Sequence, residues 1–188
     1  SGGASEGSTL RLTHAELVSR IQALKHKVRA SWQAEDRVTA LKTVIQVSKM
    51  LGETRAPQFF PSIFVLVTEV LDEFGELVFA RVTAKAATTG GALPADFSAA
   101  DVSPSGRETT LNWFFKVASI RELVPRLYAE AALLRCRLLL QPQAELPAEM
   151  ARLVAMCRGV GDPLAACYAR SYLVHKVLQV SGRAPAPV

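Results

Sequence analysis

Cysteine is scarce in this sequence, and the few cysteines are not arranged to bind a metal. Cys136, Cys157 and Cys167 are the only three among 188 residues, and no two of them have CxxC spacing. An odd number of cysteines without that spacing argues against a disulfide framework and against a zinc knuckle. All three fall in apolar helical patterns, so we expect them to be small core residues in a reducing compartment.

Long apolar runs are also missing. Runs such as 63–67 are far shorter than the roughly 20 residues that a membrane-spanning helix needs. No charged segment followed by an apolar one opens the chain, as a secretory signal would require. We interpret residues 1–9, which are rich in serine and glycine, as a disordered tail or cloning remnant outside the fold.

Sequence motifs of common catalytic and cofactor sites are absent. The chain contains no GxxxxGK[ST], GxGxxG or GxSxG pattern, and His14, His26 and His175 do not form an HExxH pair. Zinc sites need such ligands at close helical spacing. The sequence therefore predicts no metal site, no cofactor and no enzymatic activity.

Helical periodicity is the dominant positive signal. Hydrophobic residues make up 49% of the chain and charged residues 21%, which excludes global disorder. Thr13 and Glu16 have the spacing of a capping box, and the acidic pair Glu35 and Asp36 suits a second helix start. Pro61 is placed to be the first residue of a third helix, and Asp162 before Pro163 marks a last one. The pattern predicts an all-α fold of about seven helices.

The arrangement of these helices is less strongly determined. Antiparallel helices with short connections form either a closed bundle or the stacked hairpins of an α-solenoid. We favour a HEAT-like solenoid over residues 10–183, because many of the helices have two apolar faces. A stretch at about 88–107, rich in glycine, proline and serine, predicts a mobile loop, and residues 184–188 form a tail.

Charged residues suggest two surfaces. The third helix carries an acidic stripe opposite its apolar face, formed by Glu69, Asp72, Glu73 and Glu76. We interpret this stripe as a solvated face, with docking of a basic partner as the alternative. The net charge of +5 lies wholly in residues 107–188, which include Arg126, Arg135, Arg137, Arg152, Arg158 and Arg170. These arginines raise the rival hypothesis of a nucleic-acid-binding or anionic-membrane-binding helical domain, but no aromatic residues alternate with them.

A proline interrupts the helical pattern at residue 125. A proline in a helix interior removes a hydrogen bond, so Pro125 predicts a kink or a break. Arg126 projects from the first turn beyond it. This arginine either pairs with Glu130, four residues on, or anchors a partner together with Leu127 and Tyr128.

Two segments resemble a known family. Residues 125–128, PRLY, preceded by WFFK at 113–116, resemble the PRLY segment of the large α-solenoid subunits of endosomal sorting coats. The run MCRGVGDPL at 156–164 is similar to a second signature of that family. Within it, the runs at 40–49 and 111–115 are more similar to the retriever type than to the retromer type, and retromer remains the alternative.

The resemblance implies a scaffold and not an enzyme. In this family the N-terminal helices bind an arrestin-fold subunit, and Pro125, Arg126, Leu127 and Tyr128 are the implied contact, although Ala129 and Glu130 depart from the motif. The metallophosphoesterase-fold and coiled-coil subunits bind parts of the longer protein outside this N-terminal segment. The implied location is cytoplasmic and peripheral on endosomes, with indirect contact to the membrane. The implied task is the retrieval of transmembrane cargo, and no nucleic-acid partner is expected.

Overall fold

Seven α-helices build the part of the chain that the structure, a computed structural model, describes: residues 13–87 and 91–182. They are α1 (His14–Gln33), α2 (Arg37–Ser48), α3 (Phe60–Ala86), α4 (Pro104–Ala118), α5 (Leu123–Ala132), α6 (Leu146–Cys157) and α7 (Pro163–Ser181). Short 3-10 turns occupy Lys49–Gly52, Pro57–Phe59, Ala99–Asp101, Leu134–Leu139 and Gln143–Glu145. No strand occurs within these described ranges, and the prediction of an all-α solenoid is confirmed.

Local sequence signals set the helix starts. Thr13 and Glu16 form the predicted capping box, and the side chain of Asp36 accepts a hydrogen bond from the Thr39 N–H. Asp162 caps α7 in the same way, so these three predictions are confirmed. Pro61 is the second residue of α3 and not the first, because the preceding 3-10 turn leads directly into Phe60.

Helix α3 is the central element. It contacts α1, α2, α4 and α5, and its buried residues include Phe60, Leu71 and Phe74, none of which has exposed surface. Gly75 lets α5 approach closely, since a Cβ atom there would lie 2.5 Å from the Ala132 carbonyl oxygen. Although α3 has 27 residues, no described helix is long and apolar enough to cross a membrane.

The acidic stripe on α3 is occupied by ion pairs with other helices. Glu69 pairs with Lys25 at 3.2 Å and Glu73 forms a forked pair with Arg29, both from α1. Asp72 pairs with Lys176 of α7, and Glu76 pairs with Arg135 at 3.2 Å. The stripe is solvent-accessible, as interpreted, with Glu69 and Glu76 the most exposed of the four, but each carboxylate also pairs with a cation on an element that packs beside α3.

The predicted mobile loop is shorter than expected at its C-terminal end. Helix α4 begins at Pro104, where the Ser103 hydroxyl donates to the Lys85 carbonyl and the Ser103 N–H donates to the Ala86 carbonyl. Ala99 and Val102 are buried. Residues 88–90, the predicted disordered stretch at 1–9 and the tail at 184–188 lie outside the described residues. Mobility of the remaining loop stays a prediction.

The cysteines do not share one environment. Cys136 and Cys157 are buried, as expected, and burial raises the pKa of the Cys136 thiol to about 12. Cys167 is exposed on α7, so the prediction that it lies in the core is wrong. Its neighbours Ala166 and Ala169 take the buried positions of that helix turn.

Candidate partner-binding site

The chain breaks before Pro125, as the sequence predicts. Helix α4 ends at Ala118 and α5 begins at Leu123, so Pro125 is the third residue of α5. The N–H groups of a first helical turn have no partner inside the helix, and a proline there costs no hydrogen bond. The Arg126 N–H makes the first bond of the turn, to the Glu122 carbonyl at 3.2 Å.

The four residues of the PRLY segment have different exposures. Leu127 and Tyr128 are core residues with 2% and 1% of their surface exposed, and Pro125 is also buried. Arg126 keeps 36% of its side chain exposed. Arg126 therefore offers the most surface of the four for a direct partner contact, while Leu127 and Tyr128 hold α5 in the fold. A binding role for Arg126 remains a prediction.

Arg126 is anchored to a buried carboxylate. Its Nε donates to Glu130 at 2.8 Å, and Arg152 of α6 donates to the other oxygen of the same carboxylate. Burial alone would raise the pKa of Glu130, but the hydrogen bonds from Arg152 and Arg126 outweigh it and lower that pKa. The i to i+4 pair considered from the sequence is thus present, and it fixes the orientation of the guanidinium.

Tyr128 adds an unusual feature beneath this pair. Its hydroxyl is buried and has no hydrogen-bond partner among the described residues. The ring lies 5.3 Å from the ring of Tyr172, whose own hydroxyl donates to Asp72 at 2.8 Å. Two neighbouring buried tyrosines therefore differ in whether the hydroxyl is satisfied.

The two segments that resemble family signatures meet at one groove. We call it the α5 groove; its volume is about 470 Å³. Its wall is formed by the end of α2, the start of α5 and the turn between α6 and α7. The lining residues are Lys49, Gly52, Glu53, Glu122, Leu123, Val124, Pro125, Gly159, Val160, Gly161, Asp162 and Ala165.

Glycines and short side chains keep the α5 groove open. Gly159 lies against Leu123, since a Cβ atom there would come within 2.8 Å of the Leu123 Cδ2. At Gly161 a Cβ atom would meet nothing within 4 Å, so this residue borders open space. The Thr54 hydroxyl donates to Asp162 at 2.7 Å and ties the α6–α7 turn to the segment that follows α2.

Four of the six arginines singled out in the basic half have ion-pair partners inside the fold. Arg126 and Arg152 hold Glu130, while Arg135 pairs with Glu76 and Arg137 pairs with Glu149. Arg135 and Arg137 also lie over the rings of Phe79 and Phe114. These contacts leave little of the arginine set free to form a continuous phosphate-binding surface.

Comparisons with known proteins agree with the resemblance noted in the sequence. The family model described as VPS35L matches residues 3–185. The chain is 48% identical over 177 residues to the VPS35 endosomal protein-sorting factor-like protein of Danio rerio and 43% identical over 177 residues to that of Homo sapiens; each match covers 94% of this chain and 18% of the relative. The Dictyostelium discoideum relative is 34% identical over 173 residues, covering 91% of this chain and 17% of the relative. The chain thus spans less than a fifth of the relatives that it matches.

Proposed function

The chain belongs to the VPS35L family, and from this membership we propose that it is a scaffold segment of an endosomal protein-sorting coat. In this proposal an arrestin-fold subunit binds at the α5 groove, with Arg126 at its edge. The observation that carries the proposal is that the start of α5, up to the first residue of the PRLY segment, and residues 159–162 of the 156–164 segment line this one groove.

The α5 groove has the properties of a preformed docking site. Its floor is rigid, because the residues that follow Pro125 in α5 are core residues and Leu123 packs against Gly159. Its volume of about 470 Å³ is large enough to receive several side chains of a partner. A partner that fits it loses little free energy to rearrangement of the scaffold.

Arg126 supplies a charged contact beside the α5 groove. It directly follows Pro125, the last residue of α5 that lines the groove. Its Nε already donates to Glu130. A guanidinium has five N–H donors in a fixed fork, so its Nη groups remain able to bind a carboxylate or carbonyl of the partner. Arginine in such a position is a frequent contributor to binding free energy at interfaces.

The wider role of the longer protein follows from the family. The proposal places it at the endosome as a peripheral, cytoplasmic scaffold that retrieves transmembrane cargo. Its metallophosphoesterase-fold and coiled-coil partners would bind regions beyond this segment. The match to the VPS35L model favours the retriever type over the retromer alternative.

The proposal can be tested by titrating the chain with purified arrestin-fold subunits of retriever and retromer type in a calorimeter. Gly161→Trp adds a bulky side chain at the open part of the α5 groove, where a Cβ atom would meet nothing within 4 Å. Ser105→Trp is the matched control, since it adds the same bulk at an exposed position at the start of α4. We expect Gly161→Trp to weaken binding of the retriever-type subunit at least about 10-fold, or roughly 1.4 kcal/mol, and Ser105→Trp to leave it unchanged.

Arg126→Glu tests the charged contact separately. Because this change also removes a partner of the buried Glu130, its melting temperature must be measured beside its affinity, with Arg126→Gln as the milder variant. Loss of affinity in a folded variant supports the contact. Unchanged affinity in both Gly161→Trp and Arg126→Glu would overturn the proposed site, and tighter binding of the retromer-type subunit would favour that alternative.

A further inference from the structure

A second pocket, of about 200 Å³, lies between α2, α3 and α4 and is lined by cations. Its lining residues are Arg37, Arg81, Thr109, Asn112, Trp113 and Lys116. We propose that this basic pocket binds a phosphorylated side chain of a protein segment. The basic pocket and the α5 groove lie at opposite ends of α2: Arg37 is its first residue, and the turn that lines the groove follows its last residue, Ser48. Because a helix of 12 residues is about 18 Å long, the two sites are separate and the two proposals are independent.

Two of the cations are held in place by a stacked pair of indoles. The rings of Trp32 and Trp113 lie 5.8 Å apart and nearly parallel. The guanidinium of Arg37 lies 4.1 Å from the Trp32 ring, and the Lys116 ammonium lies 5.1 Å from the Trp113 ring. Arg37 also donates to the Trp32 carbonyl oxygen. Cation–π contacts orient a cation without neutralising its charge.

The positive charge of the basic pocket is only partly balanced by nearby carboxylates. No carboxylate is among its lining residues, and within the described ranges neither Arg81 nor Lys116 forms an ion pair. Arg37 has one carboxylate near it, that of Glu35 at 4.0 Å, whose side chain is 84% exposed. A pair at that distance with a solvated carboxylate is weak, so three positive charges converge on one small cavity.

A phosphate monoester matches this arrangement better than a carboxylate. It carries about −1.5 to −2 charges and three strong acceptor oxygens, whereas a carboxylate brings a single charge. Arg37, Arg81 and Lys116 come from three different helices and can address separate oxygens, with the Asn112 amide as an additional donor. Clusters of arginine are a recurring means of recognising phosphorylated peptides.

A protein ligand is favoured over an anionic membrane by the rim of the basic pocket. Glu35 and Asp36 are exposed at the start of α2, directly beside Arg37. A flat anionic bilayer would bring many negative charges against these carboxylates, while a single phosphate can enter the cavity without touching them.

The two tryptophans of the chain are Trp32 and Trp113, so tryptophan fluorescence, excited selectively over the tyrosines, reports on the region of this site. The chain would be titrated with a phosphoserine peptide, with the same peptide unphosphorylated, and with vesicles containing phosphatidylinositol phosphates. The pocket variant is Arg81→Gln with Lys116→Gln. The control variant is Arg20→Gln with Arg170→Gln, which makes the same change in charge at exposed positions elsewhere.

We expect saturable binding of the phosphoserine peptide to the parent chain and the control variant, and at least about 10-fold weaker binding to the pocket variant. Calorimetry repeats the titration without relying on fluorescence, since Lys116→Gln removes a contact to Trp113. Equal affinity in all three proteins, or equal binding of the unphosphorylated peptide, would overturn the proposal. Pocket-dependent binding of the vesicles without binding of the phosphopeptide would also overturn it and assign the site to a lipid headgroup.

Discussion

The acidic stripe of α3 and the α5 groove both place charged side chains at the surface, yet their partners differ. Each carboxylate of the stripe faces a cation from another element of the same chain, such as Lys25 for Glu69 and Arg135 for Glu76. At the α5 groove one ion pair, Lys49 with Glu122, crosses the rim, and Gly161 faces open space.

This difference separates a structural use of charge from a surface available for binding. The carboxylates of the stripe lie at the borders between α3 and the elements that pack beside it, where exposed pairs each contribute about 0.2 to 1 kcal/mol. The start of α5, which lines the α5 groove, continues directly into the core residues Leu127 and Tyr128. A surface that is rigid below and unoccupied above suits a docking role.

The largest expected difference between the two regions is in the free energy of unfolding, when a glycine in each region is replaced by alanine. Gly75→Ala on α3 would place a methyl group 2.5 Å from the Ala132 carbonyl oxygen, so we expect a loss of about 3 kcal/mol in the free energy of unfolding. Gly161→Ala in the α5 groove should change it by less than about 0.5 kcal/mol. Urea unfolding measures both, and a destabilised Gly161→Ala would show that the groove is packed.

A smaller effect is expected at the buried pair that supports the groove. Glu130→Gln keeps the shape but removes the charge held by Arg126 and Arg152, and should cost about 2 kcal/mol at pH 7. Because the folded-state pKa of Glu130 is lowered, its contribution is present above the unfolded-state pKa and is lost as the pH falls through the folded-state pKa. The difference in stability between the parent chain and Glu130→Gln should therefore shrink on acidification. A difference that stays constant down to pH 3 would contradict this account.

The smallest effect concerns the two buried tyrosines at the boundary between the regions. Tyr172→Phe removes the hydrogen bond to Asp72 of the acidic stripe and should destabilise the chain by about 1 kcal/mol. Tyr128→Phe removes a buried hydroxyl that has no partner within the described ranges, so it should be neutral or stabilising. Thermal unfolding of the two variants decides the matter, since equal destabilisation would mean that Tyr128 also has a partner.

Local signals explain how much of the fold the sequence could predict. The starts at Thr13, Asp36 and Asp162 depend on side chains within three residues of the backbone groups that they cap. The partners of the acidic stripe could not be predicted in this way. Glu69 meets a lysine 44 residues away, and such distances are set by the packing of whole helices.

The candidate site shows the same limit. The sequence located the break at Pro125 and singled out Arg126, but Leu127 and Tyr128 proved to be core residues. Their apolar helical phase was the signal for burial. The α5 groove and the basic pocket were not foreseen as cavities, because each is assembled from distant segments whose approach only the folded chain reveals.

The most direct test of the central claim is a calorimetric titration that compares the two regions with the same retriever-type arrestin-fold subunit. One variant carries Gly161→Trp in the α5 groove, and the other carries Glu69→Gln with Glu73→Gln in the acidic stripe. We expect the groove variant to lose binding and the stripe variant to bind like the parent chain. Retained binding by Gly161→Trp together with loss in the stripe variant would contradict the account.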